Sequence, residues 1–261
     1  MSPGDPATRS VFDAAASEYD AARPSYPAGL FEELEKNAGR LAGKIVLDWG
    51  AGTGIASRQL AERGATVISL DIGEQMLRRA LARSPRASCV LADGSRMPVR
   101  SGSADLATFA QSWHWFDHRA AAAEVARVLR PGGYWAAWWS RARAEGETWF
   151  DAYRELVVTS CPNYLRQTGR NAEQAPDWSD PAIAAEAPME PAGTVIVQWT
   201  REVSAADWIT EDRSKSYFIE LEPDRRESLL REVGRIIETE FPDGEMSVRY
   251  NTLLLLARKA G

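Results

Sequence analysis

The sequence predicts an α/β fold built on an open, doubly wound, mostly parallel sheet. A short apolar run, Ile45-Val46-Leu47, feeds directly into the bend Gly50-Ala51-Gly52-Thr53-Gly54. Four further apolar runs follow, separated from one another by stretches that are mostly of helical spacing. Right-handed crossovers bring the carboxyl ends of parallel strands to one edge, so Asp48, Asp71, Asp93 and Gln111 are expected to converge there.

Taken in order, Val11 to Ala22 has helical spacing, with Phe12, Ala15, Ala16 and Tyr19 on one face. Arg23-Pro24-Ser25-Tyr26-Pro27 breaks it, since proline disfavours helix at the residue before it. A second helix runs from about Pro27 to Gly39 with Leu30, Phe31 and Leu34 inward. Ile45 to Leu47 reads as a strand buried on both faces, followed by a helix that stops at Gly64. Thr66 to Asp71 is the second strand, Gly73 to Arg83 a helix, Ala87 to Leu91 the third strand and Ala104 to Ala110 the fourth. An alanine-rich helix from about His118 to Leu129 ends at the turn Arg130-Pro131-Gly132-Gly133, and Tyr134 to Trp139 is the fifth strand. Beyond it the pattern loosens: a helix near Glu147 to Ser160, a strand from Thr194 to Val203 and short helices over Ser204 to Glu222. A long amphipathic helix, Asp224 to Phe241, and a last strand, Val248 to Ala257, complete the chain.

Composition narrows the function. The 261 residues carry a formal net charge of −6 with no dense Lys/Arg block, so nucleic acid is not an expected partner. No apolar run approaches the roughly 18 residues that span a bilayer, and the first residues lack a signal-peptide core. Two cysteines and two histidines in no metal-like spacing point to a reduced, cytoplasmic protein without a metal site. A monomer or homodimer is expected. Ten tryptophans suggest aromatic surface lining a cleft.

The glycine bend is tested against its alternatives by spacing. A phosphate-binding P-loop needs Lys and Ser or Thr after its last glycine, but Ile55 and Ala56 follow. The dinucleotide fingerprint needs a third glycine where Ile55 stands. Asp48, at the strand end beside the bend, would repel a pyrophosphate and suit a cationic ligand. S-adenosylmethionine, with an ammonium, a sulfonium and no phosphate, fits.

These residues resemble the class I S-adenosylmethionine-dependent methyltransferases, whose first motif, D-x-G-x-G-x-G, is similar to Val46 to Gly54. The resemblance implies a seven-stranded Rossmann-like sheet whose last two strands form an antiparallel edge pair, with a helical lid over Ser204 to Phe241. It implies a helical cap over residues 1–40, a cofactor-binding core at 41–139, an insertion plus sixth strand at 140–203, a lid at 204–241 and a final strand within 242–261. Gly50, Ala51 and Gly52 would approach the cofactor, Asp71 would accept both ribose hydroxyls, and Ile72 would face adenine. Met76 belongs to the same run, Asp71-Ile72-Gly73-Glu74-Gln75-Met76-Leu77, and is equally explicable as helix core. Asp93-Gly94 resembles the third motif, in which an Asp accepts from the adenine amino group. Phe12 through Pro27 also resembles the small-molecule subgroup similar to trans-aconitate methyltransferase, in which Tyr19 would lie against the methionyl part and Arg23 would face its carboxylate.

Methyl transfer from a sulfonium is an in-line displacement that needs alignment, desolvation and, for some acceptors, a base. His114 in Gln111-Ser112-Trp113-His114-Trp115-Phe116-Asp117 is the imidazole nearest the expected methyl group, either as base or as packing. A carboxylate acceptor needs no base, and Arg141 or Arg143 then becomes the residue of interest. Trp113, Trp115, Trp139 and Tyr217 are candidates for the acceptor pocket. The expected activity is methyl transfer to a small molecule, with oxygen favoured. A cofactor-binding protein that catalyses a rearrangement, or none at all, remains the alternative at this level.

Overall fold

The computed structural model describes residues 24–85, 87–94, 96–144, 146–164 and 188–261. The expected first helix, with Tyr19 and Arg23, lies outside the described residues. Chain order is α1 (Ala28–Ala38), β1 (Ile45–Trp49), α2 (Ile55–Glu62), β2 (Thr66–Asp71), α3 (Glu74–Arg83), β3 (Ser88–Leu91) and β4 (Ala104–Ala110). A 3-10 turn (Trp113–Trp115), α4 (His118–Val128), β5 (Leu129–Ala142) and α5 (Thr148–Ser160) follow. After β6 (Met189–Ser204) come α6 (Ala205–Arg213), α7 (Ser216–Ile219), α8 (Pro223–Glu240) and β7 (Glu245–Lys259).

The seven strands form one sheet in the order β3-β2-β1-β4-β5-β7-β6. Pairing is parallel from β3 through to β5, and β7 runs antiparallel to both β5 and β6. The strand order reverses between β1 and β4, and a crevice for a ligand forms at the carboxyl ends of such neighbours. One apolar layer gathers Leu47, Phe109, Val125 and Trp135 on the α4 side of the sheet. The opposite layer packs Leu30, Phe31 and Leu34 of α1 on Val46, Ala136 and Trp138. A third cluster joins α5, α6 and α8 to β7 through Trp149, Trp208, Val233 and Val248.

Three strands are longer than their apolar runs suggest. Arg130-Pro131-Gly132-Gly133, expected as a turn, is the opening of β5: Leu129 pairs with Ala104, the register shifts, and Tyr134 pairs with Leu106. A proline and a glycine at φ +78 suit such an irregularity at a strand start. Strands β6 and β7 pair from Met189↔Lys259 to Ser204↔Glu245, so hydrogen bonding carries the ladder past the sequence that alternates cleanly. The tryptophans correct the expectation of a lined cleft. Trp49, Trp113, Trp135, Trp138 and Trp208 are fully buried and belong to the core.

Candidate functional site

Beneath the glycine bend lies a buried polar chain. Asp48 is 0% exposed. Its Oδ2 accepts from Ser57 Oγ of α2 at 2.6 Å, and its Oδ1 accepts from Thr108 Oγ1 of β4 at 2.8 Å. Ser57 Oγ accepts in turn from Ser69 Oγ of β2 at 2.8 Å. Asp48 therefore ties β1, β4, β2 and the first turn of α2 together and does not face the crevice, which corrects its expected place against the ligand. Burial pushes its carboxyl up to about 6 against the pull of Ser57 and Thr108, and the nearby Asp71 adds to the rise.

Three amides of the bend are committed inside the protein. Ala51 N donates to Leu70 O, Gly54 N to Ala51 O, and Gly52 N to Asp71 Oδ2 at 2.8 Å. The other oxygen of Asp71 accepts from Gly73 N at 2.7 Å. Each carboxylate oxygen has further lone-pair capacity. Asp71 is thus fixed at the carboxyl end of β2, half-exposed, with Ile72 beside it 38% exposed. Met76 is buried with Leu77 and Ala80 on α3.

Ser112 and Phe116 close the floor and were not singled out by sequence. Ser112 Oγ donates to Trp49 O at 2.5 Å, and a Cβ on Gly50 would stand 2.6 Å from Ser112 Cβ. A Cβ on Gly94 would stand 2.2 Å from Phe116 Cε1. With φ of +65 and +81, Gly50 and Gly94 are required twice over, by backbone and by contact. Asp93, next to Gly94, is exposed at the same edge. Gln111 follows β4 at φ 57, the one non-glycine residue of positive φ among the described residues, and its N–H donates to Trp138 O. Strained backbone of this kind concentrates at functional sites.

The 3-10 turn then divides its aromatic residues. Trp113 is 2% exposed, stacked on His118 with ring centroids 5.0 Å apart and edge-on to Phe109 and Trp135. It is core, not the expected pocket wall. Trp115 is half-buried, 4.8 Å from the His114 ring. Trp139 is also buried, and its Nε1 donates to His114 Nδ1 at 3.2 Å. Burial, then the charges of Arg141 and His118, push the His114 imidazole down to about 4. At neutral pH the ring is uncharged and a weak base, which argues against the general-base role expected of it.

Arg141 and Arg143 lie past Trp139 on the same strand and its extension, both half-buried. Burial lowers the Arg141 guanidinium against the pull of Tyr164 and Tyr217, with Arg143 adding to the lowering. Tyr217 packs edge-on to Tyr164 at 5.0 Å, and its phenol is held above its ordinary range chiefly by burial. Behind it, Tyr153 Oη donates to Asp212 Oδ1 at 2.9 Å, and Lys215 Nζ donates to the same oxygen at 2.7 Å. Arg201 pairs with Glu211 at 2.5 Å. Among the described residues no group of three or more histidine, cysteine or acidic side chains is placed to hold a metal ion. No described helix is long and apolar enough to cross a membrane.

A carboxylate held at the strand edge by two backbone amides, an exposed aliphatic side chain beside it and three bend amides spent within the protein suit a nucleoside better than a pyrophosphate. The family comparison agrees. A model of the methyltransferase domain matches residues 47–137. An uncharacterized methyltransferase of Mycobacterium tuberculosis is 31% identical over 228 residues, covering 87% of this chain and 86% of its own. The chain belongs to the class I S-adenosylmethionine-dependent methyltransferases.

This methyltransferase takes its methyl group from S-adenosylmethionine and leaves S-adenosylhomocysteine. It is 31% identical over 173 residues to a demethylmenaquinone methyltransferase of Corynebacterium urealyticum, covering 62% of this chain and 72% of that one. It is 36% identical over 128 residues to a malonyl-[acyl-carrier protein] O-methyltransferase of Serratia marcescens, covering 49% and 50%. A solved structure from Anaeromyxobacter dehalogenans, described as a candidate type II methyltransferase, superposes with a TM-score of 0.67 at 25% identity, covering 91% and 97%.

Proposed function

We propose that the enzyme transfers the methyl group to an oxygen of a small-molecule acceptor, and that this oxygen arrives already ionised, as a carboxylate. The observation that carries the reading is His114. A hydroxyl acceptor needs a base near neutral pH, but this imidazole sits at about 4 with Nδ1 engaged by Trp139. A carboxylate needs none.

When bound, the sulfonium supplies the methyl group as an electrophile. On this reading Asp71 receives the ribose hydroxyls, Ile72 covers adenine, Asp93 accepts from the adenine amino group, and Gly50, Ala51, Gly52, Gly94 and Gln111 let the backbone come close. Arg141 and Arg143 hold the acceptor anion, with Trp115 and Tyr217 as walls. Their part is orientation and exclusion of water, which is most of what a displacement at a sulfonium requires.

The test is incubation of the enzyme with methyl-labelled cofactor and matched acceptors that carry a carboxyl, a hydroxyl, an amine or an activated carbon. Label recovered as an alkali-labile methyl ester supports the reading. Label in an alkali-stable product overturns it.

A further inference from the structure

Trp139 sits one turn of the alternation before Arg141, and its indole nitrogen has a hydrogen and no lone pair to give. The 3.2 Å contact between Trp139 Nε1 and His114 Nδ1 is therefore a bond in which the indole donates and Nδ1 accepts. An accepting Nδ1 carries no hydrogen, so the neutral ring carries its hydrogen on Nε2. Among the described residues Nε2 has no protein partner, and the ring is half-buried between Trp115 and Trp139.

We propose that Trp139 is a positioning residue that locks His114 into its Nε2–H form, so that the ring offers the acceptor a hydrogen bond and takes no proton from it. The inference deepens the reading of a carboxylate acceptor and rests on it only for what Nε2–H meets. Two kinds of donor then serve one anion: the imidazole N–H from the turn after β4 and the Arg141 guanidinium at the end of β5. The groups that face the ring are consistent with this. Arg141 on β5 and His118 on α4 both disfavour a second proton, and Trp139 fills the position at which that proton would otherwise sit.

Ring nitrogen spectra of the free enzyme, labelled at its two histidines, test the assignment directly. His114→Gln removes one set of signals and so identifies it. In the wild type, Nδ1 is expected to resonate as an unprotonated nitrogen and Nε2 as a protonated one from pH 5.5 to pH 8. In Trp139→Phe the two tautomers should mix, and the ring's titration should move up from about 4 toward the ordinary 6.5. A wild-type ring with its hydrogen on Nδ1 overturns the proposal, as does a folded Trp139→Phe whose tautomer is unchanged. If that variant does not fold, the wild-type spectrum alone decides.

Turnover supplies the second readout. His114→Gln keeps a side-chain N–H near Nε2 but offers no base, so it should retain activity within roughly tenfold, whereas His114→Ala should lose about 10²-fold or more. Equal losses in the two variants overturn the donor role. The spectra involve no acceptor, so an alkali-stable methylated product would remove the carboxylate reading and leave the tautomer result standing.

Discussion

Replacing Asp48 with asparagine separates the fold's use of this residue from any use by the ligand. The carboxyl is fully buried, and its pKa is raised from 3.8 to about 6, burial being the largest cause. A raised carboxyl binds its proton more tightly in the folded state than in the unfolded one. Its contribution to stability is therefore fully present below pH 4 and is lost as the pH rises through 6. A shift of about two units corresponds to about 3 kcal/mol, the burden of holding the charge inside at pH 7. Asparagine keeps the shape and one acceptor and carries no charge. Urea unfolding of both proteins from pH 4 to pH 8 should show nearly equal stability at the acid end. The asparagine variant should gain as the pH rises, by up to about 3 kcal/mol less whatever the new amide loses against Ser57. Titration calorimetry should show cofactor affinity changed by no more than about fivefold, about 1 kcal/mol, because Asp48 faces Ser57 and Thr108. A stability difference that stays flat with pH, or an affinity loss of about 100-fold in a variant that folds normally, refutes this reasoning.

Asp71→Asn should weaken cofactor binding by about 1.5–3 kcal/mol, the scale for a hydrogen bond to a charged group, and calorimetry that shows no change removes Asp71 from the ribose site. Gly94→Ala places a Cβ 2.2 Å from Phe116 Cε1 at a φ of +81, so thermal unfolding should report a loss of at least about 2 kcal/mol. Adding Phe116→Leu should recover the steric part of that loss, and no recovery would mean that the ring is not what Gly94 accommodates. Lys215→Met strips the buried Asp212 of its cation and should cost about 3–5 kcal/mol. Asp212→Asn in the same background should restore a good part of it, and strictly additive losses would show that the two side chains do not act as a pair.

The parallel half of the fold was legible because each step leaves a local trace. An apolar run of strand length, a glycine at positive φ and an amphipathic helix recur from Ile45 to Trp139, and the pairing from β3 to β5 follows them. Asp71 and Asp93 were legible for the same reason, as acids at strand ends. The direction of a side chain within a loop leaves no such trace. Trp113 and Trp115 are two residues apart in one turn, yet one stacks into the core on His118 and the other stays half-buried beside His114. Nor does a sequence reveal which serine meets which acid. Ser57, Ser69 and Thr108 come from three separate elements and become a network only once β2, β1 and β4 lie side by side. The cluster of Tyr153, Asp212 and Lys215 was invisible for that reason too, since Tyr153 and Asp212 are joined by tertiary packing alone.

The proposed refusal of a pyrophosphate at the bend rests on a residue other than Asp48. Charge at Asp48 is a weak discriminator: the side chain points inward and its pKa is close enough to neutrality for the charge to vary. What a diphosphate requires at such a bend is a set of unspent amides aimed at it. Here Ala51, Gly52 and Gly54 all donate within the protein, and the carboxylate that takes the Gly52 amide is Asp71, the acid proposed for the ribose. On the proposed reading, in which Asp71 takes the ribose, one side chain would both recognise the sugar and occupy an amide that a phosphate would need. That coupling makes a further expectation. Asp71→Ala, by freeing the Gly52 amide and removing a negative charge, should bring inorganic pyrophosphate or a dinucleotide measurably closer to binding while S-adenosylmethionine is lost. If affinity for both falls together, the amide was never the barrier.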